Sequence, residues 1–315
     1  MFDKPGVFYS RESGAVFDDQ SWVPSPSKIE ELKQYNLVVL DMSADPYIVD
    51  EFDTYYHALE RTGINFLLLT HDPADHKKFN KMLFYPHWYH WSRKNFVVSN
   101  TYSNDRKYKW SCLNGVPRPH RIYNYFYSKQ QSYYDDAYFT FHNASNGSID
   151  GVALPDYVTH WWDNTKHSAV QLNPRSKQFL LSSLCNLPAN ADAYIHLVTE
   201  TTVTPRIFVT EKTWKPVASG QLFLIFGNPG TVGHLRDCGV DVFDDIIDHG
   251  YDSIPDWQDR LHAIHDQLRH LLSQDLKDIY MTTSNRRTDN VNKFFTGAFD
   301  TQYIQTISQC ISMLN

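Results

Sequence analysis

The chain has 315 residues, 42% of them apolar, which is enough for two α/β domains or one large one and excludes intrinsic disorder. With 29 Lys/Arg against 36 Asp/Glu the net charge is −7, so the protein is not a uniformly basic nucleic-acid coat. Aromatics are the excess: 8 Trp, 20 Tyr and 19 Phe, or 15%, so some rings are expected to line a binding surface.

The elements alternate along the chain. Tyr35 to Asp41 is a short apolar run ending at a polar turn and predicts a buried strand. Ile48 to Thr62 has helical spacing stopped by Gly63, and Ile64 to Thr70 is a second strand ending at His71-Asp72-Pro73. This βαβ pattern predicts parallel strands. Tyr108 to Leu113 reads as a strand, Asn114-Gly115 as a turn, Pro119 to Lys129 as a helix and Ala137 to His142 as a strand. After the Asn/Ser/Gly-rich stretch 143–151, the chain is poorly patterned to about Asn190. Ala193 to Val198 and Arg206 to Val209 are expected strands. Thr210 is placed to N-cap a helix reaching Ser219 with Gly220 as its stop. Leu222 to Phe226 is a wholly apolar core strand, followed by a Gly227-Asn-Pro-Gly230 turn and a helix from Thr231 to Gly239. Val240 to Phe243 is a further expected strand, and Ile254 to Ser273 and Val291 to Leu314 are expected helices. The pattern predicts an α/β protein of two Rossmann-like domains, split near residue 100 and facing a central cleft.

Charge is segregated. Between Lys77 and Lys129 eleven Lys/Arg face one acid, Asp105, a net +10 that leaves −17 for the remainder; the same segment holds fourteen aromatics. The four cysteines (Cys112, Cys185, Cys238, Cys310) have no metal-ligand or framework spacing and read as free thiols. There is no apolar leader and no apolar stretch approaching eighteen residues, so the expectation is a soluble, cytoplasmic protein with no membrane partner, in which the Asn143 and Asn146 sequons are chance matches.

Several chemistries lack their motif. No G-x-G-x-x-G follows a strand, and no P-loop, H-E-x-x-H, G-x-S-x-G or D-x-D is present. His87-x-x-His90 and His262-x-x-His265 put two imidazoles on a helix face without an evident third ligand, so no metal is expected. The informative block is Phe208-Val-Thr210-Glu211-Lys212, passing from a strand end into a helix N-terminus. Backbone N–H groups and the helix dipole there favour an anion, and Lys212 adds a point charge suited to phosphate. Glu211 beside it suits the two hydroxyls of a ribose. On spacing alone, a helix start with a self-neutralising Glu-Lys pair explains the same residues.

That block, with Glu200-Thr201-Thr202 before it and Gly220 and Leu222 to Gly227 after it, resembles the donor-binding core of α1,3-fucosyltransferases and related GT-B glycosyltransferases. The chain also resembles glycosyltransferases encoded by tailed bacteriophages, in Tyr85-Pro-His-Trp88, Pro117-Arg-Pro-His-Arg121 and Thr210-Glu-Lys-Thr-Trp-Lys-Pro216. The resemblance implies a GT-B-like fold: an acceptor-side domain over 1–104, a nucleotide-sugar-binding domain over 105–290, and helices in 291–315 packing back toward the N-terminal domain. It further implies an inverting, metal-independent glycosyltransferase, hexosyl- or pentosyl-transferring, whose donor is a UDP- or GDP-linked sugar, with no cofactor besides. Lys212 and one of Arg118 and Arg121 would contact the diphosphate, Glu211 the ribose, and Glu200 the transferred sugar or its surroundings, with Thr210 completing the donor-binding set. Phe208 stands where the family has Tyr, and Thr201-Thr202 where it has Asn-Ser.

Inverting transfer needs a base for the acceptor hydroxyl and cations for the departing diphosphate. Candidate bases at the ends of the first domain's strands are Asp45, His71 and Asp72, each of which also suits a cap or turn. The basic, ring-rich strip suggests a DNA acceptor carrying a hydroxylated pyrimidine, contacted through Trp88, Trp91, Arg93 and Lys94. The alternatives are a glycan or lipopolysaccharide acceptor, a strip that is simply core and solvated charge, and a non-catalytic nucleic-acid-binding module on the same fold.

Overall fold

Short apolar runs become two parallel sheets. The computed structural model describes residues 7–10, 25–43, 52–75, 79–96, 105–141, 151–166, 192–299 and 308. The chain divides into two units, Met1–His87 with Asp300–Asn315, and Trp88–Phe299.

The first unit contains β1 (Val7–Ser10), α1 (Pro26–Leu32), β2 (Leu37–Asp41), α2 (Phe52–Thr62), β3 (Phe66–Thr70) and β4 (Met82–Phe84). The strands are parallel and lie in the order β1-β2-β3-β4. Because the LVVLD and FLLLT runs are apolar at consecutive positions, both sheet faces need cover. Val38, Leu40, Phe66 and Leu68 pack with Leu32, Tyr56 and Leu59, while Leu37, Leu67, Leu69 and Leu83 gather on the other face. Gly63 takes a left-handed φ of 71°, which is how it stops α2.

The second unit runs from α3 (His87–Asn95), whose first residue ends the other unit, through β5 (Tyr108–Asn114), α4 (Pro119–Lys129), β6 (Ala137–Phe141), α5 (Asp156–Thr165), β7 (Ala193–Thr199), α6 (Glu211–Ala218), β8 (Leu222–Phe226), α7 (Thr231–Asp237), α8 (Trp257–Leu272) and α9 (Leu276–Thr282) to α10 (Ser284–Thr296). Its parallel strands lie in the order β6-β5-β7-β8. After β5 the chain steps outward to β6, then crosses to the opposite side of β5 for β7. That reversal creates a topological switch point between β5 and β7, where α/β sheets open a crevice beyond their carboxyl ends. β7 and β8 are buried along their whole length.

The division after His87 falls earlier than the expected boundary at 104. Tyr89 of α3 explains why: its ring lies 4.8, 5.5 and 6.2 Å from those of Trp214, Phe294 and Phe299. Two expected strands are absent. Over 206–209 the Phe208 N–H donates to Asn228 Oδ1 (3.1 Å). At 240–243 the Asp241 N–H goes to Asn290 Oδ1 (2.9 Å), the Phe243 N–H goes to Asp241 Oδ1 (2.9 Å), and Phe243 adopts φ 64°. In both places side chains take the backbone donors that a neighbouring strand would need. Conversely, the poorly patterned region contains α5, and α10 runs Ser284–Thr296 and is stopped by Gly297, φ 85°; residues 297–299 form a turn, so the helix expected from Val291 to Leu314 breaks there, and beyond 299 only 308 is described. Cys185, Cys310 and both sequons also lie outside them. No helix among the described residues is long and apolar enough to cross a membrane.

The aromatic strip is interior. Of its thirteen described rings between 77 and 129 none is exposed, and Phe79, Phe84, Tyr89, Phe96, Trp110, Tyr123 and Tyr125 are buried. Its cations also serve the fold: Lys109 pairs with Asp136, and Lys81 and Lys129 lie over the rings of Phe66 and Tyr134.

Candidate anion-binding crevice

Three chain segments leave the carboxyl ends of β5, β7 and β8 together. The first is Gly115 to Arg118, leading into α4; the second is Glu200 to Thr210, leading into α6; the third is Gly227 to Gly230, leading into α7. The segments are cross-tied. Asn228 donates through Nδ2 to Thr202 Oγ1 (2.9 Å) and Thr204 O (2.7 Å), so one amide braces the 201–210 loop from both sides. Asn114 Oδ1 accepts from Thr199 Oγ1 (2.6 Å) below it.

Cations converge on Thr201. Arg118 Nη1 donates to its carbonyl (2.8 Å), and Lys212 Nζ lies 3.1 Å from its hydroxyl. Lys212 also reaches Thr210 Oγ1 (3.1 Å) and Glu211 Oε1 (3.0 Å), with 22% of its side chain still exposed. Burial alone would raise the Glu211 pKa, but Lys212 and Lys215 hold it below its ordinary value, so it stays ionised. Arg121 is buried, its Nη1 on Val116 O (3.0 Å) and its Nη2 on Thr199 O (3.3 Å) and Glu200 O (2.9 Å). Burial, then Arg118, lowers its pKa to about 10, still cationic at neutral pH. His120 Nε2, 2.9 Å from Glu200 O, carries the ring hydrogen; burial and Arg121 push its pKa well down and keep it neutral. Arg118, Arg121 and Lys212 thus gather with Glu200 and Glu211 at this end of the sheet.

The structure changes what the helix start does. Thr210 caps α6 as expected, accepting from the Lys212 N–H (3.3 Å). The amides of that first turn are taken by the cap itself, the Lys212 N–H by Thr210 Oγ1 and the Thr213 N–H by Thr210 O (3.2 Å), while the Glu200 carboxylate accepts from the Thr210 N–H and the Thr201 N–H (3.0 and 3.1 Å) and from the Thr210 and Thr213 hydroxyls (2.6 and 2.7 Å). Glu200 is fully buried. At α7 the corresponding place is taken by Asp252, which accepts from the Val232 and Gly233 N–H groups (3.1 and 3.0 Å). A ligand anion at the crevice therefore meets side-chain cations, chiefly Lys212 and Arg118.

All six donor-binding candidates, Arg118, Arg121, Glu200, Thr210, Glu211 and Lys212, come together here. The acceptor candidates lie on α3. Trp88 and Trp91 pack edge-on to each other (5.8 Å) against the core, Arg93 lies against Gly297 with Nη2 3.4 Å from Phe295 O, and Lys94 is exposed. His71 and Asp72 are buried in the turn after β3, where Asp72 Oδ1 accepts from the Ala74 N–H (2.8 Å); Asp45 lies outside the described residues. Both ring nitrogens of His265 are engaged, Nε2 by Asn124 Oδ1 and Nδ1 by the Tyr133 hydroxyl (2.8 Å each), and His262 Nε2 meets Tyr123 Oη (3.2 Å). Thr201, Thr213 and Asn228 were not anticipated; the Asn-Pro after β8 signals only a turn in the sequence.

The fold and site define a doubly wound parallel α/β unit with a cationic crevice at its switch point. No known protein family and no curated protein matches the chain. Among solved structures it is similar to the DNA-modifying enzyme β-glucosyltransferase, determined with and without its substrate uridine diphosphoglucose, at a TM-score of 0.31 and 12% identity over 94% of this chain and 99% of that one. At that TM-score the likeness assigns neither fold nor chemistry here.

Proposed function

We propose that the protein is a nucleotide-sugar-dependent glycosyltransferase whose donor diphosphate sits in the β5/β7 crevice. The observation that carries the reading is the convergence of Arg118 and Lys212 on Thr201. Two cations side by side suit a diphosphate, and partly exposed side chains can turn from Thr201 to its oxygens. The likeness of Thr210-Glu211-Lys212 to the fucosyltransferase donor core points the same way. In this reading Glu211, fixed in its ionised form, accepts from the ribose hydroxyls, while Lys212 and Arg118 stabilise the leaving diphosphate as the glycosidic bond to it breaks. Arg121, turned toward carbonyls, holds the site rather than the ligand. The group that deprotonates the acceptor hydroxyl is proposed from Asp45, His71 and Asp72, and inversion follows if it works opposite the leaving group.

Seven of the strip's thirteen described rings are buried, and Trp88 and Trp91 are half-buried against the core, so the donor half carries the proposal. A donor-by-acceptor screen read by mass spectrometry, including DNA with hydroxylated pyrimidines and glycans, tests it. Transfer is expected with one UDP- or GDP-linked sugar, and Lys212→Ala abolishes it while circular dichroism and thermal unfolding stay as in the unmutated protein. Retained turnover in that variant would remove Lys212 from the site.

A further inference from the structure

Glu200 is a carboxylate turned entirely inward. Oε1 takes the Thr210 N–H and the Thr213 hydroxyl; Oε2 takes the Thr201 N–H and the Thr210 hydroxyl. These bonds join the end of β7, the far end of the 201–210 loop and the first turn of α6. Gly227 backs the arrangement, since a Cβ there would stand 3.3 Å from Glu200 Cβ and Cγ. Of the three threonines that Glu200 grips, Thr201 and Thr210 are the two whose hydroxyls hold the Lys212 ammonium, and Thr201 also receives Arg118.

Resting on the diphosphate reading above, we propose that Glu200 is a positioning residue. By fixing Thr201 and Thr210 it sets where Lys212 and Arg118 stand, and so determines how strongly the site distinguishes a diphosphate from a monophosphate. It does so without touching the ligand, because donors of the protein itself take both of its oxygens. The charge-neutral amide is not a conservative replacement. Whichever way the Gln carboxamide is turned, its NH2 faces a backbone N–H, of Thr210 on one side or Thr201 on the other. Thr213→Val is milder: it removes one hydroxyl donor from Oε1 and nearly keeps the side-chain shape.

Equilibrium titrations of the intact chain with UDP and UMP, and with GDP and GMP, measure what the second phosphate adds. The unmutated protein is expected to prefer one diphosphate over its monophosphate by about tenfold or more. Glu200→Gln reduces that preference toward parity and Thr213→Val reduces it part-way, with monophosphate affinity held in both. If the preference is unchanged in both variants while stability, or affinity for both nucleotides, falls, Glu200 is a stabilising residue only and the positioning role is overturned. Should Glu200→Gln fail to fold, Thr213→Val decides. Arg118→Met and Lys212→Met separate the two ideas: if these also leave the preference intact, or if the unmutated chain binds none of the four nucleotides, the diphosphate site itself falls.

Discussion

Two arginines three residues apart do different work. Arg118 is part-buried and bonds the Thr201 carbonyl, whereas Arg121 is buried and satisfies the carbonyls of Val116, Thr199 and Glu200. Arg121→Met would leave Val116 O and Thr199 O without that donor in the interior, a loss of about 1–3 kcal/mol. Arg118→Met costs little stability, because the group is nearer water. Urea unfolding of the two variants checks the division, and equal losses would contradict it. From the sequence, Pro117-Arg-Pro-His-Arg121 offered two cations without saying which faces a ligand. The answer depends on helix phase: Arg118 is the residue before α4 while Arg121 lies in its first turn, on the carbonyls at the end of β7.

Strands and helices in the second unit bury imidazoles that must stay neutral. His196 on β7 bonds Ser111 Oγ (2.8 Å), and burial lowers its pKa to about 3. His265 on α8 and His234 on α7 are lowered the same way, to about 3 and about 4. Each binds its proton more weakly folded than unfolded, so the unfolded chain takes up protons first as pH falls. The stability these groups protect is complete above their ordinary pKa of 6.5 and drains between there and about 4 for His234 and about 3 for His196 and His265. Each contributes a slope of up to about 1.4 kcal/mol per pH unit. The urea midpoint is therefore expected to fall steeply from pH 7 to pH 5, and a flat profile would contradict the neutral assignment. Element limits were legible where the pattern was local. Leu222 to Phe226 and Pro119 to Lys129 stand as expected, because an unbroken apolar run and an N1 proline act within their own segment. The 206–209 and 240–243 segments were not, since their amides are claimed by Asn228 and Asn290, twenty and forty-nine residues away.

Across the whole chain, composition located a basic, ring-rich strip but not its orientation. Trp110, fully buried between β6 and α8, and Lys94, exposed on α3, belong to the same stretch of sequence. Charge and ring counts carry no information on which way a side chain points, whereas a strand-to-helix block fixes its side chains against one crevice. That is why Arg118, Arg121 and Glu200 stand together with the Thr210-Glu211-Lys212 block, while the residues of the strip are spread over several elements. The strand order β6-β5-β7-β8, which places the switch point, depends on non-local pairing and had to come from the structure. The central claim is that this crevice binds a nucleoside diphosphate, and the direct measurement is the thermal unfolding of the intact chain with and without UDP or GDP. At a hundred times Kd one of them should add about 2.7 kcal/mol of stability, raising Tm by a few degrees, and Lys212→Ala should abolish the rise. No rise with either nucleotide, or a rise that survives Lys212→Ala unchanged, would contradict the account.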